Sequence, residues 1–558
     1  MQRPTPRFAL ALLSGAVLHL ACAGAQATGG QASAAQASRG GPRSSNPADV
    51  PTLFAEWRQF QKPKLVGGVP DYSAAAMAAQ HRELPAWIAR AASIDVTGWT
   101  VAQQVDLHII RAEMNGLDFD HRVLKPWSQN PAFYVTVFDE KSDQPAREGP
   151  FALGALELWT YAQPMAADKA AEVAALLKPI PALLAQARTN LTGNARDLWV
   201  FGIESVKQQK AILATLNDKV SAASELAAAL KAAQEATDSY IGWLEQQAPS
   251  KTGPSGVGIA NYDWYLKHVQ LLPYSWADEV ALMERELARA TASLALEEQK
   301  NRALSRQEPV ASAEEHDKKF NAAIGEYVKF FKEHDIVTVR DFMEPALRAE
   351  IGKYHPGPLE FFTEVDYREP IMMRTHGYHW IDLAWMKQDP HPSPVRRGGL
   401  LYNIFDSRTE GFATAIEELM MHEGLFEAHP RSRELVYILV AQRAARALGD
   451  LRMHANQLPL EGAAKFASEN TPRGWLRLTG NTVRWEQHLY LQQPAYGTSY
   501  LIGKLEVDKL IAARARQLGE RFSLRTVLDE LNTTGLIPIT LVRWQLTGED
   551  AMGFAAKP

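Results

Sequence analysis

The chain has 558 residues, of which 46% are hydrophobic and 22% are charged, as is usual for a soluble protein with a large core. Its formal net charge is only −5, and its basic residues do not form blocks. Because phosphate backbones are bound by basic surfaces, this composition argues against a nucleic acid as the partner.

The N-terminus has the order of a secretory signal. Arg3 and Arg7 precede an apolar run over residues 8–20, and small residues follow up to Ala27. The apolar run is too short to span a bilayer in the mature protein. We therefore predict a signal peptide over residues 1–27 and a location in the periplasm or outside the cell.

Cys22, the only cysteine, leaves two interpretations of this signal open. Its place at the end of the apolar run resembles a lipoprotein acylation site, although His19 stands where such sites usually carry Leu or Val. In that case the protein is an outer-membrane lipoprotein whose lipid anchor is its contact with the membrane. Cleavage after Ala23, Ala25 or Ala27 would instead give a mature chain without cysteine.

Residues 28–50 are rich in Ala, Gly, Ser and Gln and nearly lack large apolar side chains, which predicts a flexible tether. Helical periodicity dominates the rest, and strand-like alternation is confined to two short runs, 133–138 and 537–541. The sequence therefore predicts a mainly α fold with few short strands. It forms one large helical domain over residues 51–558, or two parts divided near residue 250.

Apolar residues at spacings of three and four predict the individual helices, and Pro- and Gly-rich stretches predict the breaks between them. Helices are predicted within 166–190, 275–305, 312–333, 410–427, 433–455 and 501–518. A further long helix is predicted from the shared face of Leu213, Leu216, Val220, Ala223, Ala227 and Leu230. Breaks are predicted at 139–150, 248–258, 389–399 and 469–474.

Two histidines, His376 and His379, form the first candidate site. They are three residues apart and share a face if the segment after Pro370 is helical. Asp382 follows one turn later and is placed to orient the His379 ring, as carboxylates do beside metal-binding histidines. The alternative is that the two histidines are hydrogen-bonded core residues, since Gly377 weakens the helix.

Glu410 and Glu417 are two helical turns apart on a face that is otherwise small and apolar. Carboxylates rarely enter such a face without a cation, a metal or a donor, so the pair indicates a site. Together with the histidines, Glu410 would complete a three-ligand metal centre. The alternative for Glu410 is a helix cap, because Ser407 three residues before it completes a capping-box pattern.

Two further clusters lie towards the C-terminus. Arg446, Asp450 and His454 are spaced by four residues, which is typical of a salt-bridge ladder, although an arginine beside a site can also hold a substrate carboxylate. Tyr496 and Tyr500 are core tyrosines or, beside a metal, donors to a developing oxyanion.

These residues resemble a bacterial family known as domain of unknown function 885, which is large, mostly helical and similar to zinc metallopeptidases. The resemblance runs from about Phe54 to the C-terminus. It is clearest at Tyr262-Asp-Trp-Tyr265-Leu, at Glu410-Gly-Phe-Ala with Glu417, at Arg446-x3-Asp450-x3-His454, and at Pro494-x5-Tyr500-x2-Gly503. The resemblance implies a metal-ligand role for Glu410.

The chain departs from this family upstream of that motif. Members usually carry His-Glu-Ala-x-Pro-Gly-His-His. Aligned on Gly377, this chain has Met372 and Met373 in place of His-Glu, Tyr378 in place of the first closing histidine, and retains His379. The glutamate that activates water in such metallopeptidases therefore has no counterpart at its expected position.

We therefore predict an exported, metallopeptidase-like hydrolase that acts on a short peptide or another amide at an altered zinc site. The expected metal ligands are His376, His379 and Glu410. The expected catalytic groups are Glu417 as general base, Tyr500 as oxyanion donor, and His376. The expected substrate-binding residues are Arg446, His454 and Tyr378.

Two alternatives belong to other classes of protein. One is a catalytically degenerate homologue that binds peptides or cell-envelope fragments, as the loss of His-Glu at positions 372–373 indicates. The other is a metal-free acid–base enzyme, such as a lyase, that uses His376, Tyr378, His379 and Tyr500.

Overall fold

The structure is a computed structural model and describes residues 46–217 and 224–555. The predicted signal peptide, Cys22 and most of the predicted tether lie outside the described residues. A short 3-10 helix at Pro47–Asp49 leads directly into the first α-helix, so helical structure begins slightly before the predicted boundary at residue 51.

The mainly α prediction is confirmed. In the part of the chain that the structure describes, the first eleven α-helices are α1 (Val50–Phe60), α2 (Ala74–Ala92), α3 (Val101–Phe119), α4 (Pro126–Gln129), α5 (Ala167–Leu177), α6 (Ile180–Asn190), α7 (Arg196–Ala214), α8 (Glu225–Gln247), α9 (Ile259–His268), α10 (Trp276–Lys300) and α11 (Ala313–Glu333). The other eleven are α12 (Met343–Arg348), α13 (Phe361–Arg368), α14 (Pro370–His376), α15 (Tyr378–Gln388), α16 (Asp406–His422), α17 (Ser432–His454), α18 (Leu460–Asn470), α19 (Thr482–Gln492), α20 (Tyr496–Leu518), α21 (Leu524–Asn532) and α22 (Ile539–Thr547).

Strands in the described part of the chain are two residues long. β1 (Leu65–Val66) and β2 (Val69–Pro70) form an antiparallel hairpin, and β3 (Val137–Phe138) pairs in parallel with β4 (Leu156–Glu157). Of the predicted run 133–138, only β3 is a strand. The prediction of a strand over residues 537–541 is wrong, because Pro538 is the N-cap of α22 and leads into a helix.

The prediction of one long helix through Leu213 and Leu230 is also wrong. α7 ends at Ala214, and α8 begins at Glu225 after Ser224, whose hydroxyl oxygen accepts a hydrogen bond from the amide of Ala227. Val220 and Ala223 lie outside the described residues. A serine N-cap offers a helix start that periodicity alone does not reveal.

Buried apolar side chains fall into two large clusters. The larger one joins α1 and α3 to the helices from α9 onwards, and the second lies within residues 72–244. Whether these cores correspond to separable parts divided near residue 250 stays a prediction.

One described segment, Ala167–Asn190, has the length and mean hydropathy of a candidate membrane span. It consists of α5 and α6, which are separated by a turn at Lys178 and Pro179. Val173 and Leu184 pack in the second core. Buried helices of soluble proteins share these properties, so the segment is weak evidence for a span.

α16 and α20 pack backbone to backbone at two glycines. A methyl group on Gly411 would lie 2.4 Å from the Cα atom of Gly503, and a methyl group on Gly503 would lie 2.1 Å from the carbonyl oxygen of Ser407. This contact excludes any side chain at both positions and fixes the spacing of the two helices that carry Glu410 and Tyr496.

Residues 139–155 connect β3 to β4, and we refer to them as the covering segment. Lys141 forms an ion pair of 3.0 Å with Glu350 and lies 4.3 Å from the ring centroid of Trp380 in α15. Gln144 reaches Thr409 and Glu410 in α16. The covering segment therefore lies across the side of α15 and α16 that carries the candidate site.

Candidate metal centre

The helical segment that carries the two histidines is broken at Gly377. α14 ends at His376 and α15 begins at Tyr378, so the predicted single helix is two helices joined at this glycine. The rings of His376 and His379 are nevertheless neighbours, with centroids 4.9 Å apart and planes at 89°. His379 is buried, and the His376 side chain is 13% exposed.

Glu410 lies in the second turn of α16 and points at both histidines. Its Oε2 atom is 3.2 Å from His379 Nε2 and 3.9 Å from His376 Nε2. The helix begins at Asp406 and has no side-chain cap, and the Ser407 hydroxyl instead accepts from the amide of Ile539. The capping interpretation of Glu410 is therefore wrong.

One potential ligand atom from each of these three residues lies within 4.8 Å of the others, and no other such group occurs in the described ranges 46–217 and 224–555. Two ligands at about 2.0–2.1 Å from a tetrahedral zinc lie about 3.3 Å apart. The observed spacing needs only small side-chain shifts to meet this value. The donor set, two imidazoles and a carboxylate, suits zinc with a fourth position left open.

Glu417 and Arg443 hold the outer nitrogen of His376. Glu417 Oε1 is 3.0 Å from His376 Nδ1, and Arg443 donates two hydrogen bonds of 2.7 Å to the two oxygens of Glu417. Burial alone would raise the pKa of Glu417, but Arg443 and His376 outweigh it and keep the pKa below its ordinary value. An ionised Glu417 can accept a hydrogen bond from a protonated Nδ1 of His376, which leaves Nε2 free for a metal.

This geometry gives Glu417 another role than the predicted general base. Arg443 donates to both oxygens of Glu417, and Oε1 also faces His376. A carboxylate held in this way positions an imidazole and has no free oxygen directed at a substrate.

The other oxygen of Glu410 is held by two donors. The hydroxyl of Tyr496 donates to Glu410 Oε1 at 2.6 Å, and the amide of Gln144 donates to the same atom at 3.0 Å. Gln144 in turn accepts from the hydroxyl of Thr409 at 2.6 Å. One oxygen of Glu410 is thus oriented by protein donors, and the other faces the two histidines.

His379 and Glu410 stabilise each other's charged form. Burial opposes ionisation of Glu410, but His379 and His376 outweigh it and lower the pKa of Glu410 to about 2. Burial likewise opposes protonation of His379, but the charge of Glu410 outweighs it and raises the pKa of His379 to about 9. A metal ion would therefore have to displace a proton from His379.

The predicted contact between Asp382 and His379 is wrong. Asp382 forms a buried two-point salt bridge with Arg408, at 2.9 and 3.0 Å. His379 Nδ1 is buried and has no hydrogen-bond partner among the described residues. Arg408 offers this carboxylate two parallel charge-assisted hydrogen bonds, whereas one ring nitrogen could offer only one. His379 therefore lacks the outer support that His376 has.

Tyr500 lies beside the centre between two arginines. Its ring centroid is 5.7 Å from the guanidinium carbon of Arg443 and 5.1 Å from that of Arg446. Its ring is also 5.9 Å from that of Tyr496. The Tyr500 hydroxyl makes no hydrogen bond within the part of the chain that the structure describes, so no described acceptor competes for its proton.

Arg446 does not form the predicted ladder with Asp450. Its Nη1 atom donates to Glu486 of α19. Asp450 instead accepts from the amide of Gly497 at 3.0 Å, and so caps the start of α20 from a neighbouring helix.

His454 and Tyr378 are fully buried, and their polar atoms are occupied by contacts within the protein. His454 contacts the carbonyl of Tyr490 and the amide of Val257 through its two ring nitrogens, and burial lowers its pKa to about 4. The hydroxyl of Tyr378 accepts from Asn532 at 2.9 Å, and its ring packs on Phe412. These contacts are structural, so we no longer assign either residue to substrate binding.

Three further residues were missed by sequence reasoning or given another role. Gln144 and Glu148 belong to the covering segment, whose only sequence signal is a Pro- and Gly-containing break. Tyr496 was considered beside Tyr500, but it is Tyr496 that contacts Glu410. The spacing Pro494-x-Tyr496 places this tyrosine at the first residue of α20, where a side chain can reach the adjacent helix.

A cavity of about 320 Å³ lies on another face of α16 and is lined by residues that include Glu418, Arg289 and Lys504. These charges are paired with one another: Arg289 and Lys504 lie 2.6 and 2.7 Å from Glu418. The chemistry-bearing side chains lie instead on the side of Glu417, so we assign this cavity no role in the reaction.

The sequence profile of a bacterial protein family of unknown function, DUF885, matches residues 61–359 and 377–546. No curated protein sequence matches the chain. Among the solved structures that share the fold are two bacterial proteins. A "putative lipoprotein of unknown function" from Shewanella oneidensis has a TM-score of 0.65 and 16% identity, over 91% of this chain and 100% of that one. A "putative lipoprotein" from Colwellia psychrerythraea has a TM-score of 0.61 and 15% identity, over 89% and 98%.

Proposed function

Because the chain belongs to the DUF885 family of bacterial proteins of unknown function, we propose a function from its own site: an exported hydrolase that cleaves a peptide or another amide at an altered metal centre. The observation that carries this proposal is the buried group of His376, His379 and Glu410, whose ligand atoms lie within 4.8 Å of one another. The position of Glu417 behind His376 supports it.

A zinc ion in this centre would supply a Lewis acid for an amide carbonyl and for a water molecule. His376, His379 and Glu410 would hold it, and Glu417 would fix the tautomer of His376. Tyr500 is the proposed donor to the developing oxyanion, because its hydroxyl makes no hydrogen bond to any described residue.

Glu148 is the proposed replacement for the missing general-base glutamate. It belongs to the covering segment, accepts from the Ser142 hydroxyl at 2.9 Å, and lies in the same segment as Gln144, which touches Glu410. Burial and the neighbouring Asp143 raise the pKa of Glu148 to about 7. A carboxylate with this pKa can take a proton from water near neutral pH and return it to the leaving amine.

The first test is elemental analysis of the mature protein purified without added metal, with His379→Ala alongside. We expect nearly one zinc per chain in the wild type and loss of zinc in the variant. A pool of short peptides should then be hydrolysed by the wild type, with activity lost to a chelator and restored by zinc. Absence of zinc together with failure to take it up on titration would contradict the proposal.

Glu148→Gln separates catalysis from metal binding. The variant should keep its zinc and its affinity for peptides, and it should lose most of its turnover, because amide oxygen is too weak a base. Unchanged turnover would exclude Glu148 as the base and leave the metal centre unaffected.

A second candidate is a homologue that binds peptides or envelope fragments without turnover. The observation that favours it is the His379–Glu410 ion pair, in which the two charges balance each other without a metal ion. Buried Met372 at the position of the family's histidine points in the same direction. A metal-free acid–base enzyme would use the same histidines with Tyr500. Zinc-dependent turnover would exclude both.

For the location, we propose the periplasm or the cell exterior, with an outer-membrane anchor at Cys22 as the second form. The likeness to two proteins named as lipoproteins supports a cell-envelope location. Metabolic labelling with a fatty acid, in wild type and Cys22→Ala, distinguishes the anchored form from the cleaved one.

A further inference from the structure

Arg446 is a buried cation that leaves more than half of its hydrogen-bonding capacity unused, because Nε and Nη2 carry three of the five N–H groups of a guanidinium. Its side chain is 1% exposed, and Nη1 donates to Glu486. Its Nε and Nη2 atoms have no partner among the described residues. A buried donor without an acceptor is costly, so two on one guanidinium point to an occupant with acceptor atoms.

The two unused atoms form one edge of the guanidinium. This edge presents two parallel N–H groups and matches the two oxygens of a carboxylate. Elsewhere in the protein the same edge binds carboxylates: Arg58 donates from Nε and Nη2 to Glu113, and Arg514 donates from the same two atoms to Glu530. At Arg446 the edge lacks such a partner.

The surroundings of this edge also favour an acceptor. Two tyrosine rings lie near the guanidinium carbon of Arg446, at 5.1 Å for Tyr500 and 5.7 Å for Tyr490. Among the described residues, the hydroxyl of Tyr490 is buried without a hydrogen-bond partner, and that of Tyr500 makes no hydrogen bond. An occupant with carboxylate oxygens would satisfy both the arginine and the tyrosines.

The position relative to the metal centre defines which carboxylate fits. Tyr500 lies against both Arg446 and Arg443, and Arg443 holds Glu417 behind His376. Tyr500 also packs on Tyr496, which donates to Glu410. Tyr500 thus lies between the unused edge and the residues around the metal ligands, so a carboxylate bound at this edge is placed beside the proposed centre.

We propose that the Nε–Nη2 edge of Arg446 binds the C-terminal carboxylate of a short peptide, so that the site removes residues from the C-terminal end. This rests on the proposed hydrolase function. In the reaction one peptide C–N bond breaks and the oxygen of one water molecule joins the carbonyl carbon. One proton of that water goes to the released amine, and the products are a shortened peptide and a free amino acid.

The test compares trialanine with its C-terminal amide. Binding is measured by calorimetry on the mature, folded protein, and release of alanine is followed separately. We expect the free acid to bind at least about tenfold more tightly than the amide, since hydrogen bonds to charged groups are strong. Arg446→Lys keeps the charge beside Glu486 but removes the two-point edge, and should abolish this preference.

Arg514→Lys is the matched control, because it alters the same kind of edge at the partly buried pair with Glu530. If Arg446→Lys fails to fold, Tyr490→Phe replaces it, and should weaken binding of the free acid and spare that of the amide. Equal affinity for acid and amide in the wild type would overturn the proposal. So would a preference for peptides with an internal glutamate over trialanine, which would assign the edge to a side chain.

The outcomes separate this inference from the proposed function. A preference for the free acid in a protein that binds no zinc would support the carboxylate site and contradict the hydrolase. Zinc-dependent hydrolysis of free acid and amide at equal rates would support the hydrolase and overturn the carboxylate site.

Discussion

Gln144 and Glu410, which are 266 residues apart in the chain, are joined by a hydrogen bond of 3.0 Å from the amide nitrogen of Gln144 to Oε1 of Glu410. Through this bond the covering segment is attached to a proposed metal ligand. Two of the three proposed ligands are almost fully buried, so the covering segment is the part of the molecule expected to move when a metal or a substrate enters.

The first prediction concerns this bond. Gln144→Ala should speed uptake of zinc at least about tenfold, because hydrogen bonds to charged groups contribute about 1.5–3 kcal/mol and opening no longer breaks one. Lys141→Ala should act in the same direction by releasing the pair with Glu350. Stopped-flow measurement with a fluorescent zinc indicator checks both. Gln234→Ala, in α8, is the control, and an equal acceleration there would show a general loosening instead.

The second prediction separates two buried carboxylates that sequence spacing alone cannot distinguish. Glu417→Gln should lower the affinity for zinc about 10–100-fold, because it removes the support of His376. Asp382→Asn should leave the affinity unchanged, since Asp382 binds Arg408. Both should lose stability, by about 3–5 kcal/mol, because each leaves a buried arginine unpaired.

Competition titrations and denaturant unfolding give the two quantities for each variant. A loss of zinc affinity in Asp382→Asn that matches that of Glu417→Gln would show that the two carboxylates act alike, against the contacts described here.

The third prediction concerns the glycine contact between α16 and α20. Gly503→Ala should destabilise the protein by at least about 1–3 kcal/mol, because the added methyl group meets the Ser407 carbonyl at 2.1 Å. Gly242→Ala, in α8, is the matched control. No atom of a described residue lies within 4 Å of its added methyl group, so it should stabilise by about 0.5–1 kcal/mol. Denaturant unfolding midpoints check both, and equal effects would contradict the contact.

The fourth prediction concerns pH. Burial raises the pKa of Glu279 to about 8, so the folded protein holds a proton there that the unfolded chain releases near its ordinary pKa. This proton contributes to the free energy of unfolding below the pKa of the unfolded state, and the contribution is lost as pH rises to about 8. The loss amounts to a few kcal/mol, at roughly 1.4 kcal/mol per unit of pKa difference between the folded and unfolded states. Glu279→Gln cannot ionise and should remove this part of the pH dependence.

This difference is measured by the unfolding midpoints of wild type and variant, determined in parallel at each pH between 5 and 9. Glu284→Gln, further along α10 and largely exposed, is the control. If the wild-type and Glu279→Gln profiles run parallel, Glu279 does not titrate in this way.

The helical nature of the fold could be predicted because its signal is local. The period of the apolar residues is written in each segment, and α11 begins one residue after Ser312, where a cap is expected. Predictions were wrong where a cap or a proline overrode the periodicity, as at Ser224 and Pro538.

The candidate site could be predicted only in part, for a related reason. His376, His379 and Glu410 stand out in the sequence, because paired histidines and a buried glutamate are unusual on apolar helix faces. Their partners do not stand out, since buried charges pair between helices rather than along one. Spacing linked Arg446 to Asp450, whereas Arg446 binds Glu486 in α19. Gln144 has no distinguishing pattern at all.

The short parallel pairing of β3 and β4 also has a consequence for how the family can diversify. The covering segment leaves and returns at adjacent strands, so its two ends are held together whatever its length. Doubling the length of such a loop costs only about 0.6 kcal/mol in closure entropy. The covering segment can therefore change in length and in chemistry by insertion, while the buried helices below it stay intact.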